Sequence, residues 1–172
     1  MMKTIKHFEF TDKTKKLEDG TILKQIKANK NLPMHNIKKG DVGGWIEKEE
    51  NLSGNAWVSG DAIISENAQV SDNAWVYGNA KIIGKAQVYG DAIVSGDSWV
   101  SGNAIISGNA KISGYAQVYG NAKISENVKI TGDAIVYGKA QVSGDAWVYG
   151  NAWLYGNTKI SGNEIITAGE YK

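Results

Sequence analysis

The side chains that most often carry catalysis are scarce in this sequence. It has no cysteine and only two histidines, His7 and His35. Because the chain has no cysteine, it cannot contain a cysteine nucleophile, a disulfide or a cysteine-based metal site. Histidine is the side chain whose ordinary pKa best suits a general base near neutral pH. Both histidines precede the long repeat that fills the rest of the chain, and we predict that His35 is a solvated loop residue beside Pro33.

Hydroxyl and carboxylate side chains recur without a catalytic arrangement. The serines of the repeat follow an aliphatic residue, have no histidine to activate them, and are expected on the surface. Asp and Asn recur at 18-residue steps, as in Asp61, Asn79 and Asp97. Their oxygens suit calcium, but turn formation explains the same residues. We therefore predict no metal and no other cofactor.

The charge balance also excludes classes of partner. All 19 basic residues are lysines, against 18 acids. Without arginine the chain has no planar guanidinium for two-pronged phosphate or guanine contacts, so nucleic acid is not an expected partner. No apolar run has the length of a signal peptide or a membrane span. The expected location is the cytoplasm.

An aliphatic residue falls at every sixth position from Ile46 to Ile166, which makes 21 consecutive hexads. The unit reads [VI]-[ST/Y]-G-[ND]-A-x, and Glu66, Asp72 and Glu126 replace its glycine. Gly followed by Asn or Asp tolerates the positive φ of a tight corner. The residues between corners alternate as in a short strand with one buried face.

A repeat this short predicts a solenoid, because one unit cannot bury its apolar face and stacked units can. Three hexads per turn give a triangular coil of about 18 residues, and the strand spacing of about 4.8 Å makes the rod about 30 Å long. The predicted fold class is all-β, a single-stranded parallel β-helix of about seven coils. Its interior consists of the aliphatic and Ala columns, with Val100 near the middle.

These hexads resemble those of the left-handed parallel β-helix superfamily, best known from hexapeptide-repeat acyltransferases. The resemblance covers about 120 of 172 residues and implies left-handed coils. Here Gly stands one place later than the small or acidic residue of the usual pattern, and Lys39-Gly40-Asp41-Val42-Gly43-Gly44-Trp45-Ile46-Glu47 precedes the repeat. Both features are similar to a poorly characterised YdcK-like branch from bacteria and their phages. The acyltransferases carry a catalytic His and inserted loops, and this repeat has neither.

The first 45 residues differ from the repeat. They mix lysines and acids with apolar runs at 5–10 and 21–28, and the hairpin-turn pair Asp19-Gly20 precedes the second run. We predict a β-rich cap and leader at 1–45, the β-helix at 46–166 and a C-terminal tail at 167–172. The cap would cover the open strand edge of the first coil.

Two columns of each unit are predicted to point outward: the residue before the aliphatic position and the residue after it. All six tryptophans occupy the first column, and tyrosines recur in the second. Sorting by 18 residues gives a first face that begins at Trp57, a second face that begins at Trp45 and a polar third face that begins at Gln69. The predicted contact residues of the second face are Trp45, Ile63, Ile83, Trp99, Tyr119, Ile135, Tyr137, Trp153 and Tyr155. A secondary patch on the first face comprises Trp57, Trp75, Tyr77, Trp147 and Tyr149.

Aromatic residues on one face indicate a contact surface, and self-association is its commonest use. The plain alternative is that the aromatic pairs only stabilise the sheet. We expect a non-catalytic scaffold that binds itself as a dimer or trimer, or a phage-type protein that binds a host component. A hexapeptide acyltransferase-like enzyme and a carbohydrate-binding module remain alternatives, the latter because Trp and Tyr can face sugar rings.

Overall fold

The computed structural model describes residues 6–172. Residues 1–5, the start of the predicted cap, lie outside the described residues. The described chain is a parallel β-solenoid of about seven turns with a small β region before it. The predicted fold class is therefore confirmed.

Three longer strands precede the regular coils: β1 (Phe8–Lys16), β2 (Ile22–Ala28) and β3 (Val42–Ile46). Short 3-10 helices span Pro33–His35 and Glu49–Asn51. The coil strands are β4 (Trp57–Val58), β5 (Ile63–Ile64), β6 (Gln69–Val70), β7 (Trp75–Val76), β8 (Lys81–Ile82), β9 (Gln87–Val88), β10 (Ile93–Val94), β11 (Trp99–Val100), β12 (Ile105–Ile106), β13 (Lys111–Ile112), β14 (Gln117–Val118), β15 (Lys123–Ile124), β16 (Lys129–Ile130), β17 (Ile135–Val136), β18 (Gln141–Val142), β19 (Trp147–Leu154), β20 (Lys159–Ile160) and β21 (Ile165–Tyr171).

The strands stack in the three predicted faces. Trp57 pairs with Trp75 on the first face, and Trp99 pairs with Gln117 on the second. The first face contains β4, β7, β10, β13, β16 and the starts of β19 and β21; the second contains β3, β5, β8, β11, β14, β17 and the end of β19; the third contains β6, β9, β12, β15, β18 and β20. The sorting by 18-residue steps is thus confirmed.

The aliphatic and Ala columns form the continuous core. Val100 and Ala104 are both fully buried, and each buried Val or Ile stabilises the fold by about 1.5 to 3 kcal/mol. Ser98 takes the place of an Ala and donates a hydrogen bond to the carbonyl of Ser95 (2.8 Å). The expectation that every serine follows an aliphatic residue on the surface is therefore wrong for Ser98. Ser65 and Ser95 do follow aliphatic residues, yet they are also buried.

The corners need a positive φ and leave little room for a side chain. Gly78 has φ 74°, and a Cβ there would lie 3.0 Å from the backbone N and O of Gly96 in the next coil. Asp72 and Glu126 keep the positive φ without being glycine. The Asp72 carboxylate accepts a hydrogen bond from the N–H of Gly90 (3.1 Å), so the side chain gains a partner on the next coil.

The cap closes the N-terminal end of the stack. β2 pairs antiparallel with both β1 and β3, and β3 pairs in parallel with β5, so the cap continues the second face. Gly43 and Gly44 pack across the N-terminal end of the solenoid core, where a Cβ on Gly43 would lie 2.6 Å from the Val58 carbonyl oxygen. The two glycines of the leader are therefore needed for close packing of the cap on the first coil.

Both histidines bind backbone carbonyls of the first coil. Nε2 of His7 lies 2.7 Å from the Ala56 oxygen, and Nε2 of His35 lies 3.2 Å from the Asn55 oxygen. A carbonyl only accepts, so Nε2 donates in each case. Both side chains are buried, which corrects the prediction that His35 is solvated. Burial lowers the pKa of each histidine below its ordinary value, since it disfavours the charged ring.

The C-terminal end is closed by a strand rather than by a separate cap. Residues 167–171, within the predicted tail, belong to β21, which pairs in parallel with β19. Tyr171 packs against the core, and the carbonyl of Tyr171 accepts hydrogen bonds from the Tyr155 N–H (2.9 Å) and the Thr158 hydroxyl (2.7 Å). Among residues 6–172, no helix is long and apolar enough to cross a lipid bilayer.

Candidate protein-contact surface

A ladder of three stacked tyrosines runs along the second face. The rings of Tyr119 and Tyr137 are 5.1 Å apart at 14°, and those of Tyr137 and Tyr155 are 5.4 Å apart at 12°. The ladder forms because these residues are 18 positions apart and their strands stack in register. Each ring is half-buried, with one edge open to solvent. The three predicted ladder residues are therefore brought together.

The two end members of the ladder, Tyr119 and Tyr155, have a raised pKa. Desolvation, with a smaller contribution from Tyr137, raises the pKa of Tyr119. The Glu170 carboxylate accepts a hydrogen bond from Tyr155 (3.1 Å) and raises the pKa of that phenol. The ladder thus offers hydroxyl groups along one edge.

Large apolar side chains form a second column beside the tyrosines. Trp99 is 46% exposed and Trp153 is 43% exposed, whereas Ile135 between them is half-buried. Gln117 separates Trp99 from Ile135, because the strands pair in the order Trp99, Gln117, Ile135, Trp153. The column is apolar at its ends with one polar interruption, and it lies two residues along each strand from the tyrosines.

The remaining second-face residues contribute less exposed area. Trp45 and Ile83 are half-buried, and the Lys15 ammonium lies 5.9 Å from the Trp45 ring centroid. Ile63 is only 5% exposed and pairs between Trp45 and Lys81, whose larger side chains flank it. Ile63 is among the predicted contact residues, and its burial leaves it little surface to offer a partner.

The cap covers the N-terminal half of the secondary patch. Trp57 is fully buried in the core cluster that includes Ile26 of the cap, which contradicts the prediction that all six tryptophans lie outside. Trp75 is half-buried, and its indole donates a hydrogen bond to the Ser59 hydroxyl (3.2 Å) while its ring packs 5.4 Å from that of His35. Trp57 thus forms part of the cap interface, and Trp75 packs on the rim of the cap.

At the opposite end of the first face, Trp147 remains exposed. It is 43% exposed, packs 4.8 Å from the ring of Tyr149 and pairs with Ile165, which is 64% exposed. The Lys129 ammonium lies 5.9 Å from the Trp147 ring centroid, so a cation covers part of it. This half of the secondary patch is smaller than the second-face strip.

Three segments, 68–82, 86–102 and 140–156, match the YdcK β-solenoid repeat family. They lie in the early and late coils of the stack and carry the same corner and core columns as the coils between them. These matches and the parallel β-solenoid together fit a YdcK-like β-helix repeat protein. A search of curated proteins finds no match.

The corner between the third and first faces of this YdcK-like solenoid carries polar ladders. Asn109 donates through its amide to Asn127 (2.9 Å), and Asn127 donates to Asp145 (2.9 Å). An asparagine both accepts and donates, whereas an aspartate only accepts and so ends the chain of hydrogen bonds. These bonds account for the Asn and Asp at this corner. Residues 6–172 contain no group of three side chains placed to bind a metal ion.

Tyr115 is a surface residue that the sequence interpretation missed. It is 64% exposed and stands at the corner between the first and second faces, where the preceding and following coils carry Asp97 and Asp133. The signal was available, because Tyr115 is the one aromatic residue in the Asn/Asp position of the 21 hexads. Its position adds an aromatic side chain to the rim of the second face.

Proposed function

We propose that this protein is a non-catalytic scaffold that acts by binding another protein subunit through its second face. The observation that carries the proposal is the strip formed by Trp99, Ile135, Trp153 and the tyrosine ladder. Three stacked phenols beside two tryptophans that are each more than 40% exposed form one contiguous aromatic surface, and contiguous exposed apolar surface is typical of an interaction site. Trp and Tyr are also the residues that dominate interface energetics.

The histidines support the absence of catalysis in this proposal. Each Nε2 is occupied by a backbone carbonyl of the first coil, and each ring is buried. In this tautomer only Nδ1 could act as a general base, and a general base must be within reach of a substrate, which the burial of both rings opposes. A role for His7 and His35 in holding the cap accounts for both residues.

The partner in the proposal is a second copy of the chain, in a dimer or a trimer. The test is the mass in solution, measured by light scattering at about 20 µM, above the micromolar dissociation constants of modest interfaces. We expect the wild type to be oligomeric and Trp99→Lys with Tyr137→Lys to be monomeric with an unchanged far-UV spectrum. Tyr89→Lys with Ile105→Lys on the third face is the matched control and should keep the wild-type mass.

Two results would contradict self-association through this face: a monomeric wild type, or a Trp99→Lys, Tyr137→Lys variant that keeps its mass. A monomeric wild type would leave a different protein, such as a host component, as the subunit to be sought. Retention of mass by the variant would move the contact to Trp147, Tyr149 and Ile165 on the first face.

A further inference from the structure

The charged residues that flank the second face are sorted by sign. Between residues 79 and 157, the corner before this face carries the acids Asp97 and Asp133, and the corner after it carries the bases Lys85 and Lys139. All four side chains belong to exposed residues. Asp133 and Lys139 stand on the same coil, on either side of β17. The face therefore has an acidic rim and a basic rim on either side of a largely apolar strip from Trp99 to Tyr155, with Lys81 at its N-terminal end.

Ladder bonding accounts for only part of this sorting. At the corner between the third and first faces, hydrogen bonds within the chain link Asn109, Asn127 and Asp145. At the corner before the second face, Asn79 donates to Asp97 (2.8 Å) and Tyr115 then interrupts the polar column. At the corner after it, Asn103 donates to Asn121 (3.1 Å) and Lys139 then interrupts the run of asparagines. Lysine cannot accept a hydrogen bond, and a tyrosine hydroxyl has one hydrogen to donate. The ladder therefore explains Asp97, whereas Tyr115, Asp133 and Lys139 suit contact with something outside the coil.

We propose that two copies of this chain pack second face against second face with their rods parallel, in register, around a two-fold axis along the rod. This inference rests on the proposed function and specifies its partner and geometry. Such an axis reverses the strand direction, so the acidic rim of one copy meets the basic rim of the other. Asp133 then faces Lys139 of the second copy at the same height, and symmetry repeats the pair on the other side.

The same operation matches the two outward columns. Trp153 faces Tyr155 of the second copy, Ile135 faces Tyr137, and Gln117 faces Tyr119, because the column before the core position lies opposite the column after it. Tyr115 of one copy then packs on the rim of the other copy, beside Asn121. A two-fold axis along the strands, which would make the rods antiparallel, places acids opposite acids instead, and like charges across an interface are unfavourable.

The buried area is sufficient for a specific dimer. The five coils between residues 79 and 157, which include the coil of Lys81 and Ile83, at about 4.8 Å per coil and a face about six residues wide at about 3.3 Å per residue give roughly 500 Å² per copy. The total of about 1,000 Å² reaches the lower bound of specific protein interfaces. A dimer of this size is expected to dissociate in the micromolar range, where charge reversal at the rims has a measurable effect.

The test uses charge complementation between two single variants. Asp133→Lys and Lys139→Asp each replace two favourable pairs by two like-charge pairs, and each should weaken homodimerisation about tenfold or more. Mixed together, the two variants have only opposite charges at both rims, so they should form a heterodimer, detected by native mass spectrometry of the full chains. Asp145→Lys, at the corner remote from the second face, makes the same charge change and should dimerise as the wild type does.

The outcomes separate this geometry from the broader proposal. A wild-type dimer that Trp99→Lys with Tyr137→Lys dissociates, but that shows no complementation between the charge variants, overturns the parallel arrangement and keeps the second face as the contact. A trimeric mass overturns the two-fold axis. A monomeric wild type overturns both the arrangement and self-association.

Discussion

Acid should release the N-terminal cap, because the two histidines that hold it are buried in their neutral form. His7 and His35 each donate a hydrogen bond to a carbonyl of the first coil, and burial is the main cause of the lowered pKa of both. Nearby Lys6 and Lys30 lower the pKa of His7 further, whereas Asp91 raises that of His35. Lys6 also pairs with Glu49, so this region contains charges of both signs.

The direction of the pH effect on cap stability follows from proton uptake when the cap opens. When the cap opens, both histidines return to the ordinary pKa of 6.5 and bind protons that the closed cap excludes. Stability of the cap is complete above pH 6.5 and is lost as the pH falls toward the pKa of the closed form. Each histidine contributes at most about 1.4 kcal/mol per pH unit, so the pair lowers the opening free energy by up to about 3 kcal/mol between pH 7.5 and 5.5.

Amide hydrogen exchange of β1 and β2, corrected for the intrinsic effect of pH, measures this opening free energy. Strands in the middle of the stack, such as β11 and β14, serve as the internal reference and should not respond. His7→Gln with His35→Gln keeps an amide donor at each site but cannot titrate, so its cap should lose the pH dependence. An opening free energy that stays constant down to pH 5.5, or a slope that persists in the double glutamine variant, would refute the reasoning.

Two further predictions concern the coils. Val100→Asp places a carboxylate in the dry interior at a cost of several kcal/mol, so circular dichroism should show an unfolded or insoluble protein, whereas Gln87→Asp on the exposed third face should melt as the wild type does. Normal folding of Val100→Asp would show that this column is not the core. Gly78→Ala and Gly162→Ala each place an alanine at a positive φ, at a cost of about 1 kcal/mol. Only the Cβ at position 78 also meets the backbone of the next coil. Gly78→Ala should therefore melt several degrees below Gly162→Ala. Equal melting temperatures for the two variants would contradict the steric part of this argument.

The regular part of the fold was predictable because each repeat places the same residue types in the same environment. One hexad already contains the corner glycine, the buried aliphatic residue and the buried Ala, and the step of 18 residues is enough to place Trp99 beside Gln117 and Tyr119 beside Tyr137. Stacked neighbours in such a solenoid are also neighbours by simple arithmetic in the sequence. The tyrosine ladder could therefore be predicted residue by residue.

The cap was less predictable, because its contacts join residues at no fixed spacing. His7 contacts Ala56 and His35 contacts Asn55, and neither pairing follows from a period. For the same reason the sequence placed Trp57 outside, although the cap lies over it. The pattern of the repeat tells which way a side chain points from its strand, and it does not tell what another part of the chain places on top of it.

The uniform core makes the outward residues unusually informative about function. Each coil contacts only the coils before and after it, and the core beneath Trp99 or Ile135 consists of the same Val, Ile and Ala residues as the core beneath the polar third face. Folding therefore does not require tryptophan or tyrosine on the second face in preference to the third. The same holds for the corners, where Lys139 and Asn121 both follow glycines of positive φ on adjacent coils. In the proposal made above, differences between faces reflect what each face contacts, and substitutions there should change association while the separate chain stays folded.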